Sequence, residues 1–207
     1  MNRIVVATRN PGKRKDMQHL LGGAFEVVTL PEHLPEVEET GTTFADNAIL
    51  KARAASEATG LPAFGDDSGL AVDALDGAPG VYSARFAGVG AGDVANNQKL
   101  LGMMAAVPEA ARGARFRSAV AFSDARGRLG AGVLLGEGDC EGRVLFAPRG
   151  DGGFGYDPLF FSFELEKTFA EATLDEKGRV SHRARALEVL LPKVRAYFGV
   201  AEGPRTR

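Results

Sequence analysis

Apolar positions along the chain recur at a period of two in some stretches and of three to four in others, and the switches between them outline the elements. Ile4-Val5-Val6-Ala7 reads as a buried strand. Asn10 then suits a helix N-cap, with Pro11 at the first helical position. Met17, Leu20 and Leu21 keep helical spacing until Gly22-Gly23 stops the run. Phe25 to Leu30 reads as a second strand and Pro31 to Pro35 as a loop. Thr43 and Asp46 resemble a capping box. The helix they open carries a stripe of small residues, Ala45, Ala48, Ala52 and Ala55, and ends at Gly60. Asn47 and Lys51 share one face of it, a placement that ordinarily means a solvated surface. Further on, Asp93 to Met104 is helical and Ala114 to Phe122 alternates as a strand. Asp124 to Arg128 is a hairpin turn, with Leu129 to Leu135 returning and Glu137 to Val144 extending the ribbon. Leu159 to Phe161 is a short strand. Phe169 to Lys177 is helical, with Thr173 and Glu176 as a capping pair. Ser181 caps a last helix whose apolar face is Leu187, Leu190, Leu191, Val194 and Tyr197, with Pro192 able to kink it.

Five stretches carry candidate chemistry. Gly65-Asp66-Asp67-Ser68-Gly69 lies between apolar runs, so a strand, a tight turn and a second strand is the simplest reading. Adjacent aspartates repel each other, and a cation or hydrogen-bond network offsets that. A solvated acidic turn is the plainer alternative. Thr8 to Lys13 leaves free N–H groups at a helix start beside Arg9 and Lys13, a competent phosphate cradle. It is not a Walker A loop, because the Gly-Lys-Ser/Thr ending is missing. Glu36, Glu38 and Glu39 gather carboxylates ahead of the Thr43 helix. Gly150 to Pro158 surrounds two aromatics with glycines, as a base-stacking site or a glycine-rich surface loop would. His182 and Arg183 occupy a first helical turn, where cations oppose the dipole, which suggests use on an anion or a base; a surface pair is the plainer alternative.

Composition narrows the choice. With 207 residues the chain can form one large domain or two lobes, and residues 201–207 read as a frayed tail on a domain of residues 1–200. A net charge of −2 argues against a general nucleic-acid binder, though not against a nucleotide site. Cys140 is the only cysteine, which fits a reducing compartment. No apolar run has the length of a signal peptide or a membrane span, so the cytoplasm is the default expectation.

Taken together, the motifs resemble the inosine triphosphate pyrophosphatase family. They are Ala7-Thr8-Arg9-Asn10-Pro11-Gly12-Lys13, Glu38-Glu39-Thr40-Gly41, Asn47-Ala48-Ile49-Leu50-Lys51-Ala52 and Asp66-Asp67-Ser68-Gly69-Leu70. Gly77 to Arg85, Gly153-Phe154-Gly155-Tyr156-Asp157-Pro158 and Ser181-His182-Arg183 complete the set, in the family's order. The resemblance implies an α/β fold: an elongated mixed β-sheet flanked by helices, with two lobes around a central substrate cleft, in a homodimer. It implies hydrolysis of dITP, ITP or XTP to the monophosphate and pyrophosphate. It also implies the site. Thr8, Arg9, Asn10, Pro11, Gly12 and Lys13 hold phosphates, with Lys177 as a further contact and Lys51 in support. Glu38 and Asp67 bind Mg²⁺, with Glu39 and Asp66 as their neighbours. Asp67 is the proton acceptor. Ser68 contacts substrate, while Phe154, Gly155, Tyr156 and Asp157 bind the base, Phe154 by stacking. His182 and Arg183 recognise it, Arg183 by donating to a 6-oxo group. No nucleic acid and no membrane partner is implied. Two other readings stay open: a nucleotide sensor without catalysis, and a pyrophosphatase for pyrimidine nucleotides.

Overall fold

The computed structural model describes residues 2–35 and 37–199, so the expected tail at 201–207 and the carboxylate of Glu36 lie outside the described residues. Seven strands form one mixed sheet in the order β2-β1-β3-β4-β5-β6-β7. They are β1 (Arg3–Val6), β2 (Glu26–Thr29), β3 (Ala63–Val72), β4 (Gly113–Ser123), β5 (Leu134–Val144), β6 (Phe160–Ser162) and β7 (Lys167–Thr168). The helices are α1 (Pro11–Leu21), α2 (Phe44–Thr59), α3 (Gly92–Met103), α4 (Leu174–Val180) and α5 (His182–Phe198). β1 runs parallel to both β2 and β3, while β6 is antiparallel to β5 and β7. The chain divides into two compact units. One is Met1–Asp67, Ala119–Gly138 and Arg183–Arg207; the other is Ser68–Ser118 and Asp139–His182.

Each unit has its own core. In the first, Ile4, Val6 and Phe64 pack with Met17 and Leu21 of α1, Val120 and Phe122 of β4, and Leu187, Leu190 and Val194 of α5. In the second, Leu70 and Val72 pack with Leu100 and Met104 of α3, and with Phe116, Phe160 and Phe169. The helix ends follow the sequence signals. Asn10 accepts the Lys13 N–H, Thr43 accepts that of Asp46, and Gly60 closes α2 in the left-handed region. Thr173 and Glu176 form the full capping box of α4.

Three expectations need correction. The stretch Gly65 to Gly69 is not a turn; it is the middle of the ten-residue strand β3. Its glycines serve close approach instead. A Cβ on Gly65 would lie 2.2 Å from the Ala48 carbonyl oxygen and 2.5 Å from the Ala52 nitrogen, because the alanine stripe brings α2 directly against the strand. A Cβ on Gly69 would lie 2.3 Å from Ser83 Oγ. Next, β5 begins at Leu134 rather than Leu129. Successive turn bonds from Gly127, Gly130 and Gly132 to carbonyls three residues earlier keep that stretch out of the ladder. Finally, α4 starts at Leu174 rather than Phe169, since the cap at Thr173 fixes its first turn.

Gly65→Ala forces backbone against backbone, with no flexible side chain to yield. It should lower unfolding free energy by about 1–3 kcal/mol or more in urea titrations. An alanine variant as stable as the parent would show that α2 does not pack on β3 as described.

Candidate active site

Successive side chains of a strand point to opposite faces. Asp66 and Asp67 are therefore neighbours in sequence whose side chains leave opposite faces of the strand. Gly65 and Asp67 face α2; Phe64 and Asp66 face the core that α1 and α5 cover.

Asp66 is fully buried and meets the cations of Arg183 and Lys13. Arg183 of α5 grips it with two bonds, Nε to Oδ1 at 3.1 Å and Nη2 to Oδ2 at 3.0 Å. Lys13 Nζ lies 3.1 Å from Oδ2. Arg183 Nη1 also donates to Asp16 of α1 at 2.9 Å. Burial alone would raise the Asp66 carboxyl, but the charges of Arg183 and Lys13 outweigh it and hold the group far below the usual carboxylate range.

On the other face, Asp67 is oriented by two residues of α2. Lys51 Nζ binds Oδ1 at 2.9 Å, and Asn47 Nδ2 donates to Oδ2 at 3.2 Å. Lys51 also meets Glu39 at 2.5 Å, and Asn47 Oδ1 accepts the Gly41 N–H at 2.8 Å. The Glu38–Gly41 loop is thus fastened to Asp67 through α2. Burial pulls the Lys51 ammonium down, yet the charges of Asp67 and Glu39 and their hydrogen bonds leave it raised. The expected solvated face of α2 is in fact the support of Asp67, with Asn47 wholly buried.

The loop from Thr8 to Lys13 leaves β1 beside β3, where the Ala7 N–H donates to the Phe64 carbonyl. Thr8 Oγ1 accepts the Asn10 N–H at 3.2 Å. Pro11 has no N–H and Lys13 spends its own on Asn10, so Gly12 is the first-turn donor that the cap does not engage. Arg9 is turned to the carbonyls of Glu32 and Leu34 and tethers that loop.

The remaining candidates belong to the second unit. Ser68 is half-buried on β3. Phe154 is half-buried, with Lys177 Nζ 4.6 Å from its ring centre. Lys177 is itself buried and pairs with Asp157 at 2.6 Å. Asp157 also accepts the Phe154 N–H at 3.0 Å. Tyr156 lies in the core with its hydroxyl on the Ser83 carbonyl, so Phe154 and Gly155 are the accessible half of the segment. His182 stacks on Phe116, ring centres 4.7 Å apart and 16° from parallel.

Two candidates stand differently from their expected roles. Arg183 is wholly buried with its guanidinium on carboxylates, so a base can meet it only if an ion pair gives way. Glu38 is exposed, and it is Glu39 that reaches the cation shared with Asp67. Asp16 and Asn47 also belong to these networks, and their spacing from Lys13 and Lys51 puts each on the same face of its helix as that lysine.

Among the described residues no group of three or more His, Cys, Asp or Glu is gathered to hold a metal ion. Mg²⁺ usually takes only one or two protein carboxylates and completes its octahedron with water and phosphate. Asp67 and Glu39 already meet on one positive centre, so hard oxygen donors converge there in a form that fits such an ion.

The model of the Ham1 family matches residues 4–193. The chain belongs to the Ham1 family. Among Ham1-family relatives, the dITP/XTP pyrophosphatase of Desulforamulus reducens is 51% identical, over 90% of this chain and 92% of its own. That of Pseudomonas aeruginosa is also 51% identical, over 92% and 95%. Among solved Ham1-family structures, a HAM1 protein from Coxiella burnetii gives a TM-score of 0.80 at 41% identity, covering 95% of this chain and all of that one. The dITP/XTP pyrophosphatase of Mycobacterium abscessus gives 0.69 at 45% identity, covering 92% and 99%.

Replacing Asp66 by Asn should take from Arg183 its bidentate carboxylate partner and cost about 3–5 kcal/mol of unfolding free energy near neutral pH. The sign with pH follows from its lowered carboxyl: its contribution is complete above the ordinary carboxylate range and is lost as pH falls below it. Denaturant titrations should therefore show the parent–variant gap shrinking from about pH 5 toward pH 2. A gap that stays constant or widens would contradict the assignment.

Proposed function

We propose that this chain hydrolyses the triphosphates dITP, ITP and XTP, releasing pyrophosphate and leaving the monophosphate. The observation that carries the reading is Asp67, a carboxylate held by Lys51 and Asn47, in a chain half identical to dITP/XTP pyrophosphatases over nine-tenths of its length.

The reaction is attack of water at the α-phosphorus. Asp67 orients that water and accepts its proton. Lys13 and the Asn10-capped helix start receive phosphate oxygens by charge and by the Gly12 N–H. Lys51 holds Asp67 in its orientation before substrate arrives. Glu38 and Asp67 are the residues that would hold Mg²⁺, with Glu39 beside them. When bound, the ion neutralises charge on the phosphates and makes water more acidic. In the second unit, Phe154 offers a face for the purine and Lys177 a cation beside it. The reading also includes a homodimer in the cytosol, with no nucleic-acid or membrane partner. No described helix is long and apolar enough to cross a membrane.

A proton acceptor is needed for turnover but not for holding the nucleotide. Asp67→Asn should lower Mg²⁺-dependent pyrophosphate release from dITP by about 10²–10⁴-fold. Binding of a non-hydrolysable dITP analogue should survive in that variant. A variant that keeps its turnover would refute the role of Asp67. Absence of pyrophosphate release in the parent, with analogue binding retained, would favour a sensor.

A further inference from the structure

Gly155 is gripped on both sides by one face of α3. Asp93 Oδ2 accepts the Gly155 N–H at 2.7 Å. One helical turn later, Asn97 Nδ2 donates to the Gly155 carbonyl at 2.8 Å. Residues four apart stack on one side of a helix, so the two side chains form a fork spaced to span a single residue.

The two bonds fix different peptide planes. The Gly155 N–H belongs to the peptide that carries the Phe154 carbonyl, and the Gly155 carbonyl belongs to the peptide leading to Tyr156. With both planes held, Gly155 stays at φ +60°, a left-handed conformation that suits glycine. The Phe154 ring is then set by three restraints: the Asp93 bond on its C-terminal side, the Asp157 carboxylate on its own N–H, and Lys177 beside its face. Downstream, Tyr156 is anchored in the core through Ser83.

The fork has a cost. Asn97 Oδ1 is buried and, among the described residues, accepts no hydrogen bond. Such a group is unfavourable, and its retention points to the value of the donor on the same amide. Asp93 also acts on the segment by charge: burial first, and then the Asp93 carboxylate, push the Tyr156 hydroxyl well above its ordinary range.

We propose that Asp93 and Asn97 are positioning residues for base recognition, holding the Phe154–Gly155 segment at the angle its aromatic platform needs. The proposal rests on the reading of Phe154 as the base platform. The fork touches no phosphate-binding or proton-accepting group, so its loss should appear in KM rather than in kcat.

The test is steady-state kinetics on dITP and dGTP for Asp93→Ala, Asn97→Ala and Phe154→Ala, with Asp93→Asn as the conservative rescue. Losing one net hydrogen bond is worth about tenfold in an equilibrium. Asp93→Ala and Asn97→Ala should each raise KM for dITP by about tenfold, with a much smaller change in kcat, and narrow the preference for dITP over dGTP. Asp93→Asn keeps an acceptor oxygen and should recover most of the lost affinity. Thermal melts separate general instability, which would lower active enzyme and hence kcat, from the predicted rise in KM. If Phe154→Ala raises KM while the alanine variants of the fork do not, the fork is structural only and the proposal is wrong. If Phe154→Ala leaves KM unchanged, the platform reading itself fails. If Asp93→Asn behaves like Asp93→Ala, the hydrogen bond is not the cause and the proposal is overturned.

Discussion

The ion pair between Asp66 and Arg183 is the constraint from which the first unit is assembled. Neither side chain reaches water. A carboxylate and a guanidinium buried together are tolerable only with near-complete pairing, and here the pairing is bidentate and extended by Lys13 and Asp16. One strand residue thereby fixes α5 through Arg183, and α1 through Lys13 and Asp16. The start of α1, whose Gly12 N–H the Asn10 cap leaves unengaged, is held in place as a consequence.

The strand's two-residue period then sends the two carboxylates to different partners. Asp66 spends its charge on the fold. Asp67, one residue on, faces α2, where Lys51 and Asn47 hold its two oxygens. Gly65 makes this possible, since only a residue without a Cβ lets α2 come close enough for Lys51 and Asn47 to reach Asp67. The second unit uses the same economy. Tyr156 and Asp157 are tied inward while Phe154 and Gly155 stay half-buried, and Lys177 serves both the buried pair and the aromatic face.

Much of this was legible in the sequence, for reasons that are local. The caps at Asn10, Thr43, Thr173 and Gly60 act within one turn, and the sequence placed them correctly. The alanine stripe announced a close contact but not its partner. The aspartate stretch was misread because glycines flanking polar residues usually mark a turn. Here they mark places where α2 and Ser83 crowd a strand, which is tertiary information. The Arg183 ion pair is hidden for the same reason: nothing near Arg183 in sequence reveals Asp66, 117 residues away. The candidate residues themselves were found through a resemblance carried by spaced motifs, and their division of labour appeared only once the strand's two faces were known.

The most direct test of that division is a crystal structure with Mg²⁺ and a non-hydrolysable dITP analogue. The account predicts the ion on Asp67, with Lys51 displaced from or sharing that carboxylate, and Asp66 still paired with Arg183. An ion on Asp66, with Arg183 released from it and Asp67 left to Lys51 alone, would contradict it.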